Sequence, residues 1–223
     1  MEFRHEWKHE ITRADQLALR ARLQAVMAPD AHAVEGRYQI RSVYFDDPWD
    51  TALREKIDGV NCREKFRIRW YNADRTAIFL EKKSKINGLC SKEQARVSLE
   101  EVRAIAAGRP EALADNPQPL VREFCLKQRT RGLRPKTVVD YTRDAFVYAP
   151  GNVRVTLDYD IRTSVFCEGY LDGRCLTLPA RYAPIILEVK WDAFLPSVIR
   201  DIVQVPTTHT SAFSKYAACR AYG

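Results

Sequence analysis

The sequence predicts an α+β fold, a single domain over residues 1–223 with about eight antiparallel strands in hairpin order and helices packed outside them. Charged and apolar residues alternate along the strands, most plainly Arg63, Lys65, Arg67 and Arg69 against Phe66, Ile68 and Trp70. Tight turns join the strands at Asn87-Gly88 and Pro150-Gly151-Asn152, leaving no room for the crossover helices of a parallel sheet. A chain of 223 residues with 46% hydrophobic content can bury one sizeable core.

Phe3 to Ile11 reads as a strand, with Phe3, Trp7 and Ile11 on one side and Arg4, Glu6, Lys8 and Glu10 on the other. Thr12 with Asp15 starts a helix as an approximate capping box; Leu19, Leu23, Val26 and Met27 share its buried face, and Pro29 ends it. Arg37 to Asp46 is rich in β-branched and aromatic residues, hence a strand. Arg63 to Tyr71, Ala77 to Lys85 and Leu89 to Val97 follow as strands. Ser98 with Glu101 caps a helix closed by Gly108-Arg109-Pro110, and a second runs from Asn116-Pro117 to Gly132 with Leu120, Val121, Phe124 and Cys125 buried. Thr137 to Tyr148 and Val153 to Thr163 are strands. Asp172-Gly173 suggests a further hairpin between Val165 to Tyr170 and Arg174 to Leu178. Pro184 to Trp191 is one more strand, with short helices after it. Such an order closes into a barrel or packs as a sandwich.

Lysine plus arginine is 36 and aspartate plus glutamate 29, so the net charge is 36 − 29 = +7 and favours an anionic partner. A charged fraction of 29% beside that hydrophobic share argues against disorder. No apolar run reaches the roughly 20 residues that cross a bilayer, and the opening MEFRHEWKHE lacks a signal peptide's apolar region, so a soluble, cytoplasmic chain is expected. The six cysteines show no metal-site spacing and read as reduced, small hydrophobes. His5 and His9 share the parity of Trp7 and Ile11, which suits packing better than ligation.

Each strand has one ionic and one apolar side: Arg67 with Arg69, Glu81 with Lys83, Arg154 with Asp158, Glu188 with Lys190. Those ionic sides either face water or line a barrel lumen. In a lumen, unpaired charges cost several kcal/mol each, and the excess of cations over carboxylates calls for a polyanion. Arginine forks suit phosphoryl oxygens, and glutamates beside phosphate call for a bridging divalent cation.

The segments FRHEWKHEI, IRSVYFDD, REKFRIRWYN, LEKKSKINGLCSKE, VVDYTRDAFVY, VRVTLDYDIR, ILEVKW and FSKY, in this order, resemble the VTC domain, the polyphosphate polymerase domain of vacuolar transporter chaperone complexes. That family belongs to the triphosphate tunnel (CYTH-like) superfamily and also occurs as stand-alone bacterial proteins. The resemblance implies an eight-stranded antiparallel barrel forming a charged tunnel. It matches Lys8, Arg67, Arg69, Lys83, Arg154 and Lys215 to catalytic cations, and Lys92, Arg143, Lys190 and Ser214 to phosphate contacts. Glu188 and Glu6 match metal ligands for Mn²⁺ or Mg²⁺. The superfamily's E-x-E-x-K motif is altered here, because Arg4 stands in its first glutamate position; this counts against the hydrolase and cyclase activities that use both. Arg41 and Glu81 could be supporting partners, whereas Asp46, Asp47 and Asp50 read as loop and helix-start residues.

The implied chemistry is extension of inorganic polyphosphate with the γ-phosphate of ATP, with no nucleic acid involved and no transmembrane segment, though a membrane-protein partner fits the relatives' assemblies. A tripolyphosphate or nucleoside triphosphate hydrolase and a non-catalytic polyphosphate-binding module are the rivals. Outer basic residues such as Arg20 and Arg22 are expected to be nearly silent on substitution.

Overall fold

Eight long strands share one antiparallel sheet in the computed structural model, which describes residues 4–31, 33–87, 89–171, 174–206, 209–210 and 213–221. In chain order the elements are β1 (His5–Ile11), α1 (Arg13–Val26), β2 (Ala28–Pro29), β3 (Arg37–Asp46), α2 (Thr51–Ile57), β4 (Cys62–Tyr71), β5 (Asp74–Ile86), β6 (Leu89–Val97) and α3 (Leu99–Ala106). There follow α4 (Pro119–Arg131), β7 (Arg134–Tyr148), β8 (Val153–Ser164), β9 (Leu178–Pro179), β10 (Ile185–Trp191), α5 (Ser197–Ile202), β11 (His209–Thr210) and α6 (Lys215–Ala221). The sheet runs β11-β1-β10-β8-β7-β3-β4-β5-β6, with β2 and β9 added on β7 and β8, and curls into a half-barrel. Its two edges do not pair with each other among the described residues.

Local sequence chemistry accounts for most boundaries. Both predicted capping boxes form, Thr12 with Asp15 and Ser98 with Glu101. Helix α4 begins at Pro119, past Asn116-Pro117, because the Asn116 side chain accepts the Gln118 N–H and holds a turn ahead of it. Gly132 ends it at φ 70°, a left-handed cap that glycine takes without strain. Gly151 permits the β7–β8 turn, since a Cβ there would lie 2.4 Å from the Phe194 carbonyl oxygen. Asp46, expected in a loop, is the last residue of β3 and pairs with Arg134, while Asp47 stays a loop residue; their carboxylates accept backbone N–H groups of Ala52 and Leu53, and of Trp49 and Thr51, where α2 begins.

The convex face carries the core. Leu120, Val121 and Phe124 of α4 with Val102 and Ile105 of α3 cover Val43, Phe66, Ile68, Leu80 and Val97. Leu19 and Leu23 of α1 with Ile199 of α5 cover Val155, Leu157, Leu187 and Val189. Each such side chain contributes about 1.5–3 kcal/mol on burial, which fixes strand register because a one-residue slip would invert the faces.

One expectation needs correcting. The segments 165–170 and 174–177 form no strands; Tyr170, Leu171 and Cys175 fold into the convex core from a turn, Gly169 sits at φ 66°, and only Leu178–Pro179 pairs, with β8. Asp172 and Gly173 lie outside the described residues, as does Gly88 of the other hairpin signal, where Asn87 is left-handed at φ 49°. Helix α6 seats Tyr216 and Cys219 on the concave face against Tyr44, Val139 and Ile161, filling one end of the curl.

Candidate functional site

The concave face is ionic. On β4, Lys65, Arg67 and Arg69 point inward at every second residue, and the register sets Arg67 beside Glu81 and Lys65 beside Lys83 on β5. Arg67 donates to Glu81 at 2.5 Å and to the Tyr44 hydroxyl at 3.0 Å. Arg69 donates to Ser42 Oγ and to the Tyr141 hydroxyl, both at 2.9 Å. Both guanidinium groups are buried, each beside a tyrosine ring, 5.7 Å from Tyr44 for Arg67 and 5.8 Å from Tyr141 for Arg69. Lys92 of β6 reaches Glu81 at 3.1 Å. Burial alone would push the Glu81 carboxyl up, but Arg67, then Arg69 and Lys92, hold it far below the usual carboxylate range.

Lys83 makes no ion pair or hydrogen bond among the described residues. Burial pulls its ammonium well below the ordinary lysine value; Arg67, Lys190 and Lys65 pull the same way, and Glu188 opposes them. Burial likewise brings Lys65 down to about 8 against the attraction of Tyr44, with Arg67, Lys8 and Lys56 adding to the fall. Burial would raise the Tyr44 hydroxyl, but Arg67, Lys65 and Arg69 outweigh it and lower it to about 8. Both lysines keep part of their surface open although protein surrounds them, the situation of a side chain in a wet groove.

The facing wall is β1 and β10. Register pairs Lys8 with Glu188 and Glu6 with Lys190. Lys190 reaches Glu188 at 2.6 Å and Glu6 at 3.3 Å; Lys8 lies 3.6 Å from Glu188 and also bonds Glu6. Glu188 is buried, which would raise its carboxyl, yet Lys190, Lys8, Arg143 and Lys83 drive it well below the carboxylate range. Between the walls, Arg143 of β7 grips Asp158 of β8 through two bonds of 2.5 and 2.7 Å. Lys215, at the start of α6, adds a third bond to Asp158 at 2.5 Å and lies 4.6 Å from the Tyr141 ring centroid. Ser214 Oγ lies 3.4 Å from Lys65 Nζ. Arg154 is bonded to Asp30 at 2.9 Å and to the Tyr38 hydroxyl at 2.5 Å.

The structure thus places Lys8, Glu6, Arg67, Arg69, Lys83, Lys92, Arg143, Arg154, Glu188 and Lys190 on one concave face, with Ser214 and Lys215 on the segment seated against it. Glu81 joins them as the partner of Arg67, whereas Arg41 lies on the convex side in a two-bond pair with Asp140 at 2.8 and 2.6 Å. Lys65 was legible from its parity with Arg67 and Arg69. Tyr44, Tyr141 and Asp158 were not read as site residues, because only register shows which guanidinium each meets. Arg4 pairs with Asp192 at 2.6 Å instead of joining the cluster. His5 stacks on Trp191 at 5.3 Å, the packing role expected of it.

Among the described residues, no three histidine, cysteine, aspartate or glutamate side chains stand together as a metal cage. Glu6 and Glu188 are the candidate pair, two carboxylates drawn together by the same two lysines. Their hard oxygen donors suit Mg²⁺ or Mn²⁺, provided phosphate oxygens complete the coordination.

The site is thus an antiparallel sheet curled around converging lysines, arginines and glutamates. The chain belongs to the VTC domain family, whose model matches residues 3–222. Among solved structures it is similar to a candidate adenylate cyclase from Bacillus halodurans, at 15% identity and a TM-score of 0.52, covering 92% of this chain and 94% of that one. A looser match is the PH1819 protein of Pyrococcus horikoshii OT3, at 13% identity and a TM-score of 0.44, covering 90% and 84% respectively. No curated protein matches the chain. No helix among the described residues is long and apolar enough to cross a membrane.

Proposed function

We propose that this domain transfers the γ-phosphate of ATP to the end of an inorganic polyphosphate chain. The observation that carries the reading is the convergence of Lys65, Arg67, Arg69 and Lys83 from two adjacent strands, opposite Lys8, Glu188 and Lys190, around a shared groove. Lys83 makes no ion pair among the described residues and feels Glu188 only at a distance, so a string of phosphates would supply a direct partner.

Phosphoryl transfer asks a protein mainly for positioning and charge stabilisation. Arg67 and Arg69 are pre-aimed by Tyr44, Ser42 and Tyr141, so little ordering remains to be done when phosphate arrives. Lys83 and Lys65 give point charges beside them, and Arg154, Arg143, Lys92, Lys190 and Lys215 extend the track in both directions. Lys8 balances Glu188 and Glu6, the residues that would hold Mn²⁺ or Mg²⁺. When bound, such an ion would neutralise phosphate charge. A terminal oxygen of the polyphosphate chain forms a bond to the γ-phosphorus as the bond to the β–γ bridging oxygen breaks, and ADP leaves with that electron pair. The attacking end is already ionised, so no general base is required.

Incubation of the full chain with ATP, Mn²⁺ and a short polyphosphate primer tests this. Lengthening of the primer supports transfer, release of free phosphate alone supports hydrolysis, and binding without turnover in any divalent metal supports a non-catalytic module. The latter two outcomes overturn the proposal.

A further inference from the structure

A cavity of about 750 Å³ lies beside the phosphate groove, between the end of α2, the loop after β9 and the start of α6. Its lining is mostly apolar: Ile57, Tyr182, Phe213 and Ala217, with Ser214 and Arg181 at the edges. Ile57 and Tyr182 are exposed, at 64% and 48%, and so are open to a ligand. The rings of Tyr182 and Phe213 stand 6.3 Å apart at 61°, and the Tyr182 hydroxyl donates to Glu10, which fixes that ring at the wall. The cavity and the groove share one residue: Ser214 lines the first, and its Oγ lies 3.4 Å from Lys65 Nζ in the second.

We infer that this cavity is a nucleoside subsite, in which a nucleobase lies against Tyr182 and Phe213 while the attached triphosphate enters the groove past Ser214 and Lys65. The inference rests on the tunnel reading above and names what it leaves open, the seat of the nucleoside half of the donor. The occupant follows from the junction: a ligand with an aromatic, uncharged end and a polyanionic end fits an apolar cavity that opens onto a cationic groove, whereas a polyphosphate chain has nothing to place among Ile57, Tyr182 and Phe213. The volume falls within the roughly 300–1,000 Å³ usual for small-ligand sites. Arg181 at the rim offers a guanidinium plane, which also stacks on bases. The named lining carries no array of donors and acceptors to read a base edge, so the subsite accepts purines without choosing between them.

Calorimetric titration of the full chain with ATP, GTP and tripolyphosphate tests this. Tyr182→Ala should weaken ATP and GTP alike, by about 10-fold given the usual worth of one base–aromatic stack, and leave tripolyphosphate unchanged. Tyr182→Phe, which keeps the ring and loses only the bond to Glu10, should restore most of the nucleotide affinity. Equal loss for nucleotide and tripolyphosphate, or no loss for either, overturns the subsite while leaving the groove intact. Failure of tripolyphosphate to bind the unaltered chain overturns the groove itself, and the subsite with it.

Discussion

Arg67 and Glu81 face each other on adjacent strands of the concave wall, 2.5 Å apart, with 6% and 1% of their surfaces exposed. The carboxylate is a resident counter-ion: it keeps the guanidinium tolerable in an empty groove and leaves its Tyr44-bonded edge in a fixed plane.

Removing one member of such a pair costs more than the pair contributes. Arg67→Ala leaves Glu81 with Lys92 and the more distant Arg69, so urea denaturation should show a loss near the lower end of about 3–5 kcal/mol. Arg67→Lys should retain most of that stability yet weaken tripolyphosphate by about 10-fold or more, because the two-pronged contact is lost.

Lys65 gives the site a pH dependence of defined sign. Its ammonium titrates near 8 in the empty chain, and bound phosphate raises that value, so binding takes up a proton above pH 8. Nucleotide affinity should therefore hold level up to about pH 8 and fall as pH rises beyond it, in a range where the phosphates, ionising near pH ~6, do not change. Tyr44, lowered to about 8, adds a slope of the same sign. For the empty chain the sign reverses: between about 8 and the unfolded values near 10, the unfolded state binds more protons at Lys65 and Tyr44, so these groups make folding more favourable with rising pH. Titrations from pH 7 to 9.5 beside urea melts over the same range should show the two slopes diverging.

Asp158 restrains two cations at once. Asp158→Asn should lower the stability of the empty chain, since Arg143 and Lys215 lose a fully buried partner, while the rise in melting temperature on adding tripolyphosphate should exceed that of the unaltered chain. A smaller rise would place those two cations outside the phosphate track.

Arg20 is not the silent surface residue that its position on an amphipathic helix suggests. It donates twice to Asp144, which is 3% exposed, and at 3.2 Å to the Tyr159 hydroxyl. Arg20→Ala should cost about 1–3 kcal/mol in urea denaturation without changing tripolyphosphate affinity, whereas Arg22→Ala, which loses one 3.3 Å bond to the Gln204 carbonyl, should be nearly neutral.

The contrast between Arg20 and Arg67 shows what the sequence could disclose. Alternation in β4 exposed the inward face of Arg67 and Arg69 because a strand's period is two and its neighbours Phe66 and Ile68 are apolar. Capping residues likewise announced α1 and α3. Pairing across strands depends on register, and the bulges at Tyr44/Phe45 and between Asp140 and Thr142 lie where one residue's shift decides which side chains meet. Asp158 could be read as sharing a face with Arg154, yet its partners are Arg143 and Lys215. The inward seat of α6 was hidden for a related reason: a short amphipathic helix shows that it has a buried face, not which face of the sheet receives it.

The most direct test of the central claim is a crystal of the full chain soaked with a non-hydrolysable ATP analogue and Mn²⁺. Three phosphate densities should follow one another along the concave wall, within hydrogen-bond reach of Arg67, Arg69 and Lys83, with the metal against Glu188. Phosphate density confined to the convex helices, with Arg67 still bonded to Glu81 and Tyr44 and Arg69 to Ser42 and Tyr141, would contradict it.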